Sequence, residues 1–270
     1  MALFQSKTGF LTINQTQVYY EIAGEGQPLV LLHAGVADSR MWDEQFAAFA
    51  QQYRVVRYDL RGYGQSEAPA RAFRAYEELA QLLQQLEIAR AHIVGISYGG
   101  KIALDFALAY PKLVEKLVLV APGISGSTPA PEVLKFYEEE EAALEAEDLD
   151  RATELNLQMW VDGPKRELGT VAATVRERVR EMQRHAFDTV FPEGGVELDL
   201  EPPAVARLRE VKAPTLVIVG DYDIQPMLEQ ARQLEAEIPG ARLVVITDVA
   251  HMVNMEKPAE FNAEVLHFLS

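Results

Sequence analysis

The sequence predicts an α/β fold: a mostly parallel eight-stranded sheet with helices on both faces and a helical lid inserted between two of its strands. Short, continuous apolar runs recur along the chain, and such runs suit strands buried on both faces. Stretches of helical periodicity separate them, and strands alternating with helices imply right-handed crossovers and parallel pairing. One stretch, from about Gly126 to Arg209, breaks the alternation with helical patterns and no buried strand.

Two alternating segments come first, Gly9–Asn14 and Val18–Ile22, joined by Gln15-Thr16-Gln17. They read as an antiparallel hairpin. The buried-strand runs follow at Leu29–His33, Val55–Asp59, His92–Ile96, Leu117–Val120, Thr215–Val219 and Leu243–Thr247. Helical periodicity falls at about Ser39–Gln51, Ala75–Leu86, Tyr98–Ala109, Met227–Glu237 and Pro258–Leu269. Inside the irregular stretch the helical patterns are Glu132–Ala146, Leu149–Trp160 and Val171–Phe187, bracketed by Pro129, Pro131, Pro192, Pro202 and Pro203. The expected organisation is a core of residues 1–125 and 210–270 with a cap of residues 126–209. Its first helix carries Glu138-Glu139-Glu140-Glu141, and a later one carries Arg176, Arg178, Arg180 and Arg184. The expected arrangement is two solvated faces that attract each other; the alternative is an arginine site for a substrate carboxylate.

A chain of 270 residues with 49% hydrophobic side chains has material for a substantial core. Its 41 acids against 25 bases leave a net charge of −16. That balance disfavours nucleic acid and an anionic membrane surface as partners. No cysteine is present, which excludes disulfides, thiolate metal sites and cysteine catalysis. The opening Met1-Ala2-Leu3-Phe4-Gln5-Ser6-Lys7 has no charged and apolar leader pattern, and every apolar run is interrupted before membrane-spanning length. A soluble, cytoplasmic protein is expected.

The chemistry concentrates in a few turns. Gly95-Ile96-Ser97-Tyr98-Gly99 lies between a strand and a helix, the context of a nucleophile elbow, where a strained turn lifts the serine above the sheet. The competing possibility, a phosphate-binding turn at a helix N-terminus, lacks the glycine spacing of the known phosphate loops. A serine hydroxyl needs a base to take its proton and an acid to orient that base. His33, His92, His185, His251 and His267 are the candidates, and His251 lies just past a strand at the carboxyl end of the sheet, where catalytic loops collect. No histidine or carboxylate cluster has metal-ligand spacing.

Four further motifs follow strands in order: His33-Ala34-Gly35, Asp59-Leu60-Arg61-Gly62-Tyr63-Gly64-Gln65-Ser66, Gly220-Asp221-Tyr222-Asp223 and His251-Met252-Val253-Asn254-Met255-Glu256-Lys257-Pro258. With the elbow, they resemble the α/β-hydrolase-fold serine hydrolases over essentially the whole chain, the carboxylesterases and 3-oxoadipate enol-lactonase-like proteins above all. The resemblance implies Ser97 as nucleophile, His251 as base and Asp223 as acid, in the chain order of that family. It implies an oxyanion hole formed by the backbone N–H groups of Gly35 and Tyr98, with Ala34 standing where glycine is common. His33 matches a histidine that shapes the oxyanion loop, and Asp59 a turn network. Aspartate-elbow relatives, the haloalkane dehalogenases and epoxide hydrolases, are excluded by the serine.

The implied activity is hydrolysis of small carboxylic esters through an acyl-enzyme, with no cofactor. Enol-lactone or carbon–carbon bond hydrolysis by the same machinery is the first alternative, and a small-ligand receptor of the same fold with little turnover is the second. The expected pocket lining is Val36, Ile124, Trp160, Ile224 and Met252, with Trp160 either in the pocket or anchoring a cap helix. A small ester or lactone is the expected partner, and oligomeric state is not legible.

Overall fold

The computed structural model describes residues 6–167, 169–189, 192 and 194–270; the opening segment Met1–Gln5 therefore lies outside the described residues. Its centre is one eight-stranded sheet. The strands are β1 (Lys7–Ile13), β2 (Thr16–Ala23), β3 (Pro28–Leu32), β4 (Arg54–Tyr58), β5 (Ala91–Ile96), β6 (Val114–Val120), β7 (Thr215–Gly220) and β8 (Arg242–Ile246). They run in the order β1-β2-β4-β3-β5-β6-β7-β8. The β1–β2 and β2–β4 pairs are antiparallel, and every other pair is parallel.

Alternate residues of the central strands feed two cores. Val30, Leu32, Val56, Ile93, Leu119 and Val217 face the layer of α2 (Ala75–Gln85), α3 (Tyr98–Ala109) and α7 (Gln225–Glu237). Leu29, Leu31, Val55, Val94, Val118 and Ile218 face α1 (Asp43–Phe49) and α9 (Pro258–Leu269). Both faces are covered, which is why these strands read as unbroken apolar runs instead of alternating ones.

β8 differs. The run Leu243–Thr247 suggests burial on both faces, yet β8 pairs only with β7 and leaves Val245 46% exposed. An edge strand keeps the composition of its neighbours without their cover.

Residues 126–209 add no strand to the sheet among the described residues, only the single bridge Phe73–Glu197. They fold as α4 (Pro131–Glu145), α5 (Leu149–Asn156) and α6 (Ala173–Asp188), with a π-helical turn at Leu157–Asp162 directly after α5. The α4 acid run does not attract the α6 arginines. Arg176 pairs with Glu154 and Asp162, Arg180 with Glu154 and Glu177, Arg184 with Asp150 and Asp188, and Arg178 with Asp43 at the start of α1. With every one of these guanidinium groups held by a carboxylate of the chain, the expected pairing with α4 is wrong in its partner, and the arginines form no substrate-carboxylate site. Among the described residues no helix is long and apolar enough to cross a membrane.

Candidate active site

Ser97 stands between the buried end of β5 and the first residue of α3 with φ 55° and ψ −114°. A non-glycine residue in such a conformation costs about 1–3 kcal/mol and persists only where its surroundings over-determine it. Here they do. The Ser97 N–H donates to the Val120 carbonyl (2.9 Å), and its own carbonyl accepts from the N–H groups of Gly123 (3.1 Å) and Lys101 (2.9 Å). The flanking glycines are steric necessities: a Cβ on Gly95 would lie 2.2 Å from the Gly99 carbonyl oxygen, and one on Gly99 2.5 Å from those of Leu32 and His33.

The β7 loop runs beside the loop after β8. Asp221 and Tyr222 donate their N–H groups to the carbonyls of Ile246 and Val249. This brings Asp223 to His251, whose Nδ1 lies 2.7 Å from Asp223 Oδ2, both residues 1% exposed. Asp223 Oδ1 accepts from the Ile224 N–H (2.8 Å). An imidazole bound through Nδ1–H keeps Nε2 unprotonated and able to accept. His251 Nε2 is buried and bonded to no described residue, and the His251 and Ser97 residues line one cavity. The Ser97–His251 hydrogen bond is open in this structure; such bonds commonly tighten only around substrate.

Gly35 follows β3 in the same cavity, close enough to Tyr98 that an added Cβ would lie 3.5 Å from its Cβ. No described residue accepts from the N–H of Gly35 or of Tyr98. The loop's shape comes from His33, which donates from Nδ1 to the Ala34 carbonyl (2.8 Å) and accepts at Nε2 from the Leu60 N–H (2.9 Å). Asp59 accepts from the N–H groups of Ser39 and Gln65, closing the turn network beside it.

His33 carries a stability consequence. Burial pushes its imidazole below the ordinary histidine value, against the pull of Asp59, and burial pushes His92 down to about 4. Each therefore resists protonation in the folded chain, while the unfolded chain takes up protons below about pH 6.5. Stability from these groups is present above that pH and falls as pH drops toward 4 through His92. His92→Gln is expected to flatten the acid side of a Tm-against-pH profile; an unchanged profile would show that His92 does not set it.

Two cavities meet at Ser97. The larger, about 680 Å³, includes Ile124, Val133, Val205 and Met227; the smaller, about 340 Å³, includes Gly35, Val36 and His251. Trp160, within the π-helical turn, borders both and lies against His251 with ring centroids 4.8 Å apart. It also packs on the cluster of Phe136, Ala143, Ala152 and Leu155, so it is pocket wall and anchor at once. Ile224 and Met252 are corrections: both are fully buried and line neither cavity, Ile224 in the turn into α7 and Met252 within the core on the α1–α9 face.

Sequence reasoning missed several supports. Glu256 accepts from the Ala250 N–H beside His251 and forms a buried ion pair with Arg166 of the cap segment (2.6 Å). Tyr98 donates from its hydroxyl to Glu197 (2.8 Å), and Lys101 is held by Glu197, Asp199 and Asp105. A motif carries no mark of such long-range pairs. Nor is there a group of three or more histidine, aspartate or glutamate side chains placed to hold a metal among the described residues.

A serine on a strained strand–helix turn, an imidazole bound to a buried carboxylate and two unspent backbone donors define the class of α/β-hydrolases. The chain belongs to the alpha/beta hydrolase family, whose model matches residues 29–264. It is similar to the carboxylesterase YbfK of Bacillus subtilis (strain 168), 26% identical over 89% of this chain and 79% of that one. It is 31% identical to the 2-hydroxy-6-oxononadienedioate/2-hydroxy-6-oxononatrienedioate hydrolase of Burkholderia vietnamiensis over 94% and 91% of the two chains. Among solved structures it resembles the enol-lactonase from Burkholderia xenovorans LB400, with a TM-score of 0.78 and 28% identity over 97% and 99% of the chains.

Proposed function

We propose that this hydrolase cleaves small carboxylic esters through an acyl-enzyme. The observation that supports it best is the His251–Asp223 pair, with Nε2 unbonded among the described residues, on one cavity with the strained Ser97. His251 Nε2 takes the Ser97 proton as Oγ attacks the ester carbonyl, and the Gly35 and Tyr98 N–H groups hold the oxygen that becomes negative. His251 then passes the proton to the leaving alkoxide, which departs as the alcohol. Water loses a proton to His251 as it attacks the acyl carbonyl; the acid leaves and Ser97 Oγ regains its proton. Asp223 orients the imidazole through Nδ1 and stabilises the imidazolium in both halves.

Residues 126–209 act as a cap that shapes the pockets. The leaving oxygen must face His251, which assigns the alcohol to the smaller cavity and the acyl chain to the larger one with Ile124 and Met227. Lys101 is the one cation along either cavity among the described residues, and three carboxylates already hold it. This favours uncharged acyl chains. The likeness to an enol-lactonase supports lactones as the second substrate class.

Turnover of p-nitrophenyl acetate, butyrate and octanoate, beside a panel of small lactones, tests the assignment; a purified protein that releases no acid from any of them overturns it. Trp160→Ala is expected to change the ranking of the three nitrophenyl esters, since Trp160 borders both cavities. If all three rates fall in proportion, Trp160 only packs.

A further inference from the structure

The smaller cavity has a floor supplied by the sheet, Ser97, Gly35 and His251, and a roof supplied by the cap. The roof is polar: Glu140 comes from α4, Asn156 from α5 and Gln183 from α6. None of the three takes part in the hydrolytic chemistry. Asn156 and Gln183 are 3% and 4% exposed, buried as deeply as core residues.

Two acceptors of this roof, Glu140 Oε2 and the Asn156 carbonyl oxygen, have no donor among the described residues. Asn156 spends its Nδ2 protons on Glu140 Oε1 and the Ala152 carbonyl. Gln183 Oε1 is closed off from the cavity and accepts from no described residue. Glu140 Oε2 accepts no hydrogen bond from a described residue. Burial raises the Glu140 carboxyl above its ordinary value, opposed by the bond from Asn156, as expected of a charge that lacks a counter-ion. An acceptor without a donor leaves binding free energy unspent, so the roof gains most from an occupant that brings donors. Beside Val36 the remaining wall is aromatic, with Tyr63, Tyr98, Phe136, Tyr137, Trp160 and Phe187, and ring faces attract cations. Acceptors, one carboxylate and aromatic faces together describe a seat for an ammonium group and repel a carboxylate.

We propose that the Glu140–Asn156–Gln183 roof binds a protonated primary amine carried on the alcohol portion of the substrate, so that the preferred esters are those of amino alcohols. This deepens the ester-hydrolase assignment and rests on it. The alcohol is the part concerned because His251 delivers its proton on this side. An alkylammonium has N–H donors for Glu140 Oε2 and the Asn156 carbonyl oxygen, neither of which accepts from a described residue.

The test compares 5-aminopentyl, 5-hydroxypentyl and n-hexyl butyrate, which differ only in the end group, by titrating released acid. The amino ester is expected to exceed the hexyl ester in kcat/KM by at least about tenfold, mostly through KM, because charge-assisted bonds are roughly twice as strong as neutral ones. The hydroxy ester is expected between them. Glu140→Gln should bring the amino-to-hexyl ratio near one, and Gln183→Glu should raise it. A hexyl ester cleaved as well as the amino ester, or a ratio unchanged in Glu140→Gln, overturns the proposal while leaving ester hydrolysis standing. A hydroxy ester that matches the amino ester also overturns it, since a neutral donor then suffices. If no ester is cleaved, the hydrolytic assignment fails, and calorimetry of pentylammonium against 1-pentanol decides the roof separately: tighter ammonium binding that Glu140→Gln abolishes supports it, and equal or absent binding overturns it. Variants that melt lower yet keep the full preference would show a purely structural roof.

Discussion

Ser97→Ala is expected to hydrolyse esters about 10⁶-fold more slowly than the parent, the scale seen when the nucleophile of a serine triad is removed. The same variant should fold normally, because Ser97 Oγ makes no hydrogen bond with a described residue and its loss opens no core cavity. A serine-directed phosphonate or sulfonyl fluoride should add once to the parent, at Ser97, and not to the alanine variant; peptide mapping that finds the label elsewhere counts against the mechanism. Glycine at the same position separates catalysis from strain. With φ 55° and ψ −114°, residue 97 occupies a conformation that glycine adopts without a Cβ clash. Ser97→Gly should therefore be as inactive as Ser97→Ala but more stable by roughly 1 kcal/mol, a rise of about 2–4 °C in Tm for a domain of this size class. A glycine variant melting below the alanine one would show that the turn stores no strain.

The strand–turn–helix around Ser97 was legible because its steric demands are local. Gly95 and Gly99 must lack side chains where β5, the β3 end and α3 cross, and that requirement is written in the spacing itself. The central strands were legible for a similar reason: β3 to β7 are covered on both faces and are apolar throughout. Where a property depends on the neighbour rather than the run, the sequence misleads. Leu243–Thr247 has the composition of a central strand and lies at the edge, because nothing in the run records how many partners it has. Ile224 and Met252 sit one residue after Asp223 and His251, yet a side chain next in sequence points elsewhere, and both turn into the core. The roof residues were illegible altogether. Glu140, Asn156 and Gln183 read as ordinary polar positions on three amphipathic helices, and only the packing of those helices brings them to one cavity. Trp160 stood between two roles that the π-helical turn unites.

The choice between Asp221 and Asp223 shows how two similar carboxylates are told apart by a few bonds. Both follow β7, and Gly220 before them passes so near the β8 loop that a Cβ would lie 2.3 Å from the carbonyl oxygens of Val249 and Ala250. That close passage sets the register of the loops. From there Asp223 meets His251 Nδ1 at 2.7 Å, while Asp221 Oδ1 is buried with no partner among the described residues. Asp221 therefore does not accept backbone N–H groups as a turn carboxylate would. In Asp223→Asn the amide oxygen still accepts from the Ile224 N–H, but the amide nitrogen then faces His251 and donates to Nδ1. This forces the proton onto Nε2 and removes the lone pair that takes the Ser97 proton, a change that costs about 10⁴-fold in the best-studied triad. Asp223→Asn should thus fold and melt near the parent while losing about 10⁴-fold in kcat, with KM little altered. Asp221→Asn has no hydrogen bond to lose, so its activity should stay within a few-fold of the parent and its stability within about 0.5 kcal/mol. Kinetics and melting curves of the two variants, measured side by side, decide the point: a collapse of kcat in Asp221→Asn with an active Asp223→Asn would move the acid two residues back and break the assignment of the whole loop.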